Sequence, residues 1–337
     1  MKIQKDKLIE ALSLVKPGLA QKEVIEQSTS FAFIDESVVT FNDELCIRHP
    51  IPGLKLEGAV KADELYKLLP RLKQEELELE ITSNEILLTS GRTEVGIRLE
   101  TEIVLPLDSI GKKGIWCKLP EHFLNYLQLA MGSSANDMSK PILTCVHVHK
   151  QGIIEGSDGM QIMRCELEDP FPVGTFLLPA RHAPTVIALK PTQVAEGKGW
   201  IHFKNKQGTE IALRTFEDDF PNTDKFMDME GEVFSFPRSF SEILERASVF
   251  SKRDHLLDEV VEVTIAENKI HVKAKSESGW LKENANIRYK GDPINFSIAP
   301  YLLLSILNET TECEISENRL KFQGGGWQYI TLLFNVE

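Results

Sequence analysis

Long apolar runs are missing from this 337-residue chain. No stretch approaches the roughly 18 apolar residues that a bilayer-spanning helix needs, and no apolar leader follows Met1-Lys2-Ile3-Gln4-Lys5. A cytoplasmic protein with no membrane partner is therefore expected. Cysteine is scarce. Cys46, Cys117, Cys145, Cys165 and Cys313 are odd in number, widely spaced and form no Cys-x-x-Cys pair, which argues against a disulfide framework and for reduced, mostly buried thiols. Positive charge is in deficit, with 38 Lys and Arg against 51 Asp and Glu, a net −13. That balance alone does not exclude a nucleic-acid partner, because what matters is whether the basic residues gather on one surface. Catalytic signatures are missing too. Ser, His and acidic residues occur without a nucleophile motif, and Gly324-Gly325-Gly326 has no following Lys-Ser/Thr and reads as a hairpin turn. No enzyme and no cofactor are expected.

What is present is a folded chain, 42% hydrophobic and 26% charged, long enough for two or three domains. Leu119 to Leu189 holds one complete copy of a pattern. Pro120, Glu121 and His122 open a helix with Phe123, Leu124, Leu127 and Ala130 on one face. A polar loop to Lys140 ends it. Strands are predicted over Ile142–Val148, Gly152–Glu155 and Met160–Leu167, with Ser157-Asp158-Gly159 as a turn; another at Leu177-Leu178 precedes a helix over Ala180–Lys190. The first copy has helices from Gln4 to Lys16 and from Ala62, and strands at Ser30–Ile34, Ser37–Phe41, Leu45–His49, Leu77–Thr82, Glu85–Thr89 and Glu94–Leu99. The third has helices over Pro237–Phe250 and Ala299–Leu307, and strands at Glu259–Ala266, Lys269–Ala274, Asn284–Tyr289, Glu312–Ser316, Arg319–Gln323 and Tyr329–Phe334.

Landmarks recur at a nearly constant interval. The second helices open at Ala62, Ala180 and Ala299, steps of 118 and 119 residues. Leu105-Pro106 and Phe220-Pro221 are 115 apart, as are Asn42-Asp43-Glu44-Leu45 and Ser157-Asp158-Gly159-Met160. An ordered series at one period indicates triplication of an α+β domain.

Three such copies in this order resemble the bacterial-type β sliding clamp, the processivity subunit of DNA polymerase III, over essentially the whole chain. Gly152–Leu167 resembles that family's middle-domain ATDG turn, Asp219-Phe220-Pro221-Asn222 its FPD linker motif, and Thr40-Phe41-Asn42-Asp43-Glu44-Leu45 its TDLE turn. The resemblance implies three repeated clamp domains, 1–112, 113–230 and 231–337, each with two helices on antiparallel sheet. Together they form half of a closed ring, which two subunits complete head to tail around double-stranded DNA. An independent check is charge. Over Gln4–Lys16, Lys61–Lys73, Leu119–Ala135, Ala180–Lys190, Pro237–Arg253 and Ala299–Glu309, the helices with their immediate flanks, the net charge is +5, leaving −18 for the rest of the chain, the sign expected of helices that face DNA.

Candidate DNA contacts are the basic residues of the helices and of the loops that follow the first helix of each copy: Lys22, Arg71, Lys73, Lys140, Arg181, Lys190, Arg238, Arg246, Lys252 and Arg253. On its helix Arg246 should point away from the apolar face of Phe240, Ile243, Leu244 and Ala247. The resemblance also implies an apolar pocket through which a DNA polymerase and a clamp loader dock by short peptide motifs. It would be built by Leu143, Ser157, Gly159, Met160, Gln161 and Ile162, by Pro221, Lys225 and Phe226, and by the segment near the C-terminus with Ile330, Leu332 and Leu333. Here the chain departs from the family. Met160-Gln161 replace its His-Arg, and Leu332-Leu333-Phe334-Asn335-Val336-Glu337 replace its Met-Pro-Met-Arg-Leu. The implied subunit interface joins Val95 and Ile97 to Val249 and Phe250. Two alternatives stand beside the clamp: a clamp-fold scaffold without ring closure, and a zinc enzyme centred on Cys145, His147 and His149, which alternate along one predicted strand. No fourth ligand is evident, so a structural role for the three is preferred and no metal is expected. Glu217-Asp218-Asp219 reads as a solvated acidic turn and not as a Mg²⁺ site.

Overall fold

The computed structural model describes residues 1–253 and 259–334. By its internal contacts the chain separates into two compact units, Met1–Leu124 with Phe171–Glu217, and Asn125–Pro170 with Asp218–Glu337. In chain order the first unit opens with β1 (Lys2–Gln4), α1 (Lys5–Val15), β2 (Ser30–Ile34), β3 (Ser37–Phe41), β4 (Leu45–Pro50) and β5 (Gly58–Lys61). It continues with α2 (Ala62–Leu68), β6 (Glu76–Ile81), β7 (Glu85–Ser90), β8 (Thr93–Arg98) and β9 (Cys117–Lys118). Next come α3 (Phe123–Gly132) and the second unit's β10 (Cys145–Val148), β11 (Ile153–Ser157) and β12 (Gln161–Glu166). The chain then supplies the first unit with β13 (Phe176–Pro179), α4 (Ala183–Leu189), β14 (Gln193–Gly197), β15 (Trp200–Lys204) and β16 (Glu210–Arg214). The rest belongs to the second unit. Its first part is α5 (Asp224–Met227), β17 (Glu232–Ser235), α6 (Phe240–Ser251), β18 (Val261–Ala266), β19 (Lys269–Ser276) and β20 (Gly279–Asn286). Its last is β21 (Ile294–Ile298), α7 (Pro300–Leu304), β22 (Glu312–Ser316), β23 (Arg319–Gly324) and β24 (Trp327–Leu332).

Both units are antiparallel α+β structures. In the first, one sheet runs β1-β6-β7-β8 and a larger one β5-β2-β3-β4-β16-β15-β14-β9. In the second, strands run β10-β11-β12-β24-β23-β22-β17, and a further sheet runs β20-β19-β18-β21. The helices lie on these sheets by one apolar face. Leu8, Ala11, Leu12 and Val15 of α1 are buried against β3 and β4, where Thr40 Oγ1 donates to the Val15 carbonyl at 2.6 Å. Gly18 is required at this contact, since a Cβ there would lie 2.3 Å from Thr40 Oγ1. In α6, Phe240, Ile243, Leu244 and Ala247 are buried against β19 and α7, and Arg246 lies on the exposed side.

β2 and β3 are buried along nearly their whole length. Their second face explains it. Ala32, Val39 and Phe41 form a cluster there with Cys46, Trp200, Ala212 and Leu105, over which Ile103, Leu107 and Ile110 pack. The segment that follows β8 therefore covers a sheet face which would otherwise be solvated.

Several expected elements need correction. Pro141–Thr144 is a 3₁₀ turn, so the strand expected from Ile142 begins only at Cys145. Pro141 fits the first helical position and lacks the N–H that a ladder needs. The strand expected at Asn284–Tyr289 is β20, earlier in the chain, because Ser276 and Gly279 pair directly and leave a two-residue turn. Finally, β1, β5, β17 and β21 went unrecognised; at three or four residues the first three carry too little alternation to register, whereas Ile294–Ile298 of β21 alternates and was simply passed over. Among the described residues no helix is long and apolar enough to cross a membrane.

Candidate functional site

The second unit contains a cavity of about 250 Å³ on the β12–β24 face. Its floor comes from strand alternation. Ile162 and Ile330 are directly opposed across the ladder, and Leu332 follows Ile330 on the same face. One end is the turn that connects β11 to β12. Asp158 Oδ1 accepts the N–H groups of Met160 at 2.8 Å and Gln161 at 3.0 Å, and Gly159 supplies the positive φ of 94°. Asp158 Oδ2 accepts from Gln161 Nε2 at 2.8 Å and from the Tyr301 hydroxyl at 3.3 Å. Buried Tyr329 lies 2.6 Å from Gln161 Oε1. Burial, reinforced by Asp158, pushes the Tyr301 hydroxyl far above its ordinary pKa, so it remains a donor. The turn that presents Met160 is held from below by a chain of buried polar groups.

The opposite wall is the segment from Phe220 to Phe226, and it is pinned by a buried ion network. Glu155, whose side chain is 5% exposed, accepts from Arg164 Nε at 3.1 Å and from Thr223 Oγ1 at 2.6 Å, and lies 2.9 Å from His147 Nδ1. Arg164 also reaches Asp224 at 2.8 Å, and Phe220 stacks on His147 with ring centroids 4.9 Å apart. Burial raises the Glu155 carboxyl, but hydrogen bonds from His147 and Thr223 and the Arg164 charge outweigh it and hold its pKa below the usual value. The cavity is thus mostly apolar, with one wall fixed by electrostatics.

Ten of the twelve residues assigned to this pocket from the sequence line it: Leu143, Ser157, Gly159, Met160, Gln161, Ile162, Pro221, Phe226, Ile330 and Leu332. Two do not. Leu333 is one residue past Leu332, hence on the other side of the strand, buried with its N–H on the Asn318 carbonyl. Lys225 projects to solvent with its Nζ 4.9 Å from the Phe226 ring centroid. Sequence reasoning missed Phe220, Asn222, Thr223 and Arg319. Phe220 was legible in the Phe-Pro motif. Arg319 is placed only by its ladder pairing with Leu332. Of the C-terminal segment, Asn335, Val336 and Glu337 lie outside the described residues.

The basic residues fall into two classes. Arg181 is paired with Glu44 through two bonds of 3.0 and 2.6 Å, with His182 Nε2 on the same carboxylate at 2.8 Å. Arg246 is paired likewise with Glu283, at 3.0 and 2.7 Å. Lys22, Lys73, Lys140, Lys190, Arg238 and Lys252 are exposed and make no ion pair among the described residues. Arg71 donates to the Lys67 carbonyl, and Arg253 to the carbonyls of Lys252 and Lys275. Arg238 sits in the turn before α6 and not within a helix.

β8 and β20 each end a four-stranded sheet. Ile97, on β8, is buried in its own sheet's core with Val95 half-buried on the same face, so that edge offers backbone and the exposed Glu94, Gly96 and Arg98. Val249 is 60% exposed, and Phe250 packs over Gly279 of β20. Cys145 is buried and His147 is engaged by Glu155. Among the described residues no cluster of three His, Cys, Asp or Glu is placed to hold a metal ion.

No protein-family model and no curated protein matches the chain. Solved structures do. The DNA polymerase III subunit beta from Pseudomonas aeruginosa superimposes with a TM-score of 0.86 at 14% identity, covering 100% of both chains. The beta subunit from the DNA polymerase of Streptococcus pyogenes gives 0.85 at 18% over 99% of both. The DNA polymerase sliding clamp from Bacillus subtilis gives 0.84 at 17% over 100% of this chain and 99% of that one. At such identities the likeness establishes architecture: the chain has the sliding-clamp fold from end to end.

Proposed function

We propose that this protein is a DNA sliding clamp, a non-catalytic cytoplasmic ring that encircles duplex DNA and tethers a replicative polymerase and other factors for processive synthesis. The observation that carries the reading is the full-length likeness to DNA polymerase sliding clamps. In this reading the domains are 1–112, 113–230 and 231–337. Two subunits join head to tail through the edges of β8 and β20, a two-fold closure that removes both free edges. The unpaired Lys and Arg side chains contact phosphates without reading sequence. The cavity between Met160 and Phe226 takes an apolar peptide from the polymerase or the loader, and Met160 supplies an adaptable wall.

Light scattering at micromolar concentration should give a dimer, which Phe250→Asp weakens. A ring assembled on nicked circular duplex should survive gel filtration and be lost when the circle is linearised. A wild-type protein that is monomeric throughout and indifferent to DNA topology would leave the clamp-fold scaffold as the correct reading.

A further inference from the structure

A second cavity, of about 430 Å³, lies in the first unit, where the proposed clamp function has no use for it. Its floor is the face of β3, β4, β15 and β16 that carries Val39, Cys46, His202 and Ala212; its cover is the segment with Leu107 and Ile110. The second unit supplies a template for this place. Val39 and Arg48 are directly opposed across β3 and β4, and Glu155 and Arg164 are directly opposed across β11 and β12, each residue 116 positions after its counterpart. In the second unit the Glu155 carboxylate meets Arg164 and helps to pin the covering segment. In the first unit that carboxylate is replaced by the shorter, neutral Val39. Arg48 is left 42% exposed, with Asp35 and the Ile34 carbonyl each at 3.5 Å; Glu210, directly opposite it on β16, is drawn to Lys113 and Lys204 instead.

The other charges confirm the sign of the site. Glu210 is engaged by Lys113 and by Lys204, whereas Lys112 makes no ion pair among the described residues. Arg48, Lys112 and Lys113 therefore set three cations against one carboxylate, Glu210, around an apolar floor, on a chain whose net charge is −13. We propose that this cavity binds an acidic peptide segment of a partner protein. Its Asp or Glu carboxylate takes the place beside Arg48 that Glu155 holds beside Arg164, and an adjacent apolar side chain covers Val39, Cys46 and Ile110. The volume suits two or three side chains. Lys112 and Lys113 are exposed, so a chain entering the cavity keeps its ends in water.

The test uses the full chain and two fluorescein-labelled probes, Ala-Leu-Glu-Leu-Ala and the same peptide with Gln in place of Glu, in polarisation titrations at low salt. The acidic probe should bind roughly tenfold more tightly, the margin of one charge-assisted hydrogen bond. Arg48→Gln, an exposed change that the fold tolerates, should abolish the margin, and Val39→Glu should abolish binding by supplying the carboxylate internally. Equal affinity of the two probes for wild type would overturn the proposal, as would a margin that survives Arg48→Gln or is lost with Met160→Asp. Unlabelled octanoate that displaces the probe with equal affinity would overturn the peptide assignment in favour of a small carboxylate.

Discussion

Arg48 and Arg164 occupy the same position in two similar sheets, yet one is loosely held at a cavity rim and the other is locked in a buried network. The difference traces to the residue opposite each on the preceding strand, Val39 or Glu155, since Glu210, opposite Arg48 on β16, is taken up by Lys113 and Lys204. In the first unit the covering segment is held mainly by apolar contact, Leu107 and Ile110 against a cluster that includes Trp200, with one ion pair from Lys113 to Glu210 at its end. In the second it is held by charge, with Thr223 and Asp224 tied to Glu155 and Arg164. The open part of the face lies beside the arginine in the first unit, and over Ile162 and Ile330 in the second.

The largest effect should come from breaking the buried network. Glu155→Ala leaves the Arg164 side chain, 11% exposed, without its buried counter-charge and with only the exposed Asp224 among its ion-pair partners, and one-sided removal of a buried partner costs up to about 3–5 kcal/mol. Arg48→Ala, at 42% exposure, should cost less than about 1 kcal/mol. Urea denaturation of the two variants measures the contrast directly, and equal losses would show that burial does not separate the arginines. The pH dependence follows from the sign of the Glu155 shift. Its folded-state pKa lies below the ordinary 4.5, so the carboxylate's stabilisation is complete above that value and declines as pH falls through the depressed one. The gap between wild type and Glu155→Gln should accordingly be constant from neutrality down to about pH 5 and close in more acidic buffer.

A smaller and more local effect is expected at Met160. Its side chain is half-buried in the cavity wall, and Met160→Asp puts a charge into an apolar groove. Calorimetry with a short peptide carrying two or three bulky apolar residues should show binding at least about thirtyfold weaker, the loss typical of a hot-spot residue. The urea midpoint should remain near that of wild type. If the peptide binds both proteins alike, the cavity is not the docking site.

Helices were legible because four apolar residues at 3.6 spacing survive loose boundaries, as in α1 and α6. Strands of five residues with sharp turns were legible for the same reason; β2, β3 and β22 begin and end where alternation and turn chemistry place them. The repeat register was off by one. Composition aligns Asn42-Asp43-Glu44 with Ser157-Asp158-Gly159, but the turns themselves match Asn42 to Asp158, since each accepts two following N–H groups, and Asp43 to Gly159, since both have positive φ. The correct spacing is 116, and only at that spacing does Val39 face the question that Glu155 answers. The polar side of the site was illegible because it is made of contacts distant in sequence. Glu155 meets Thr223, 68 positions on, and Arg164 meets Asp224, pairings that no local pattern specifies.

The smallest expected effect concerns DNA, and it extends the contrast between held and open cations to the basic surface. Lys22 and Lys252 make no ion pair among the described residues, whereas Arg181 and Arg246 are each paired in two-point contact with Glu44 and Glu283. Removing either pair of cations lowers the net charge by the same amount, so a drop in affinity for linear duplex would not tell them apart. The salt dependence would. A cation that displaces counterions from a phosphate contributes about 0.9 to the slope of log K against log salt, and one already neutralised by a carboxylate displaces none. Lys22→Ala with Lys252→Ala should therefore reduce the slope by up to about 1.8, uniformly across DNA sequences. Arg181→Ala with Arg246→Ala should leave it nearly unchanged while weakening binding through the two exposed carboxylates. Equal slopes for the two double variants would mean that both arginines abandon their carboxylates for DNA, and that the pairing seen in the free protein does not sort its cations by function.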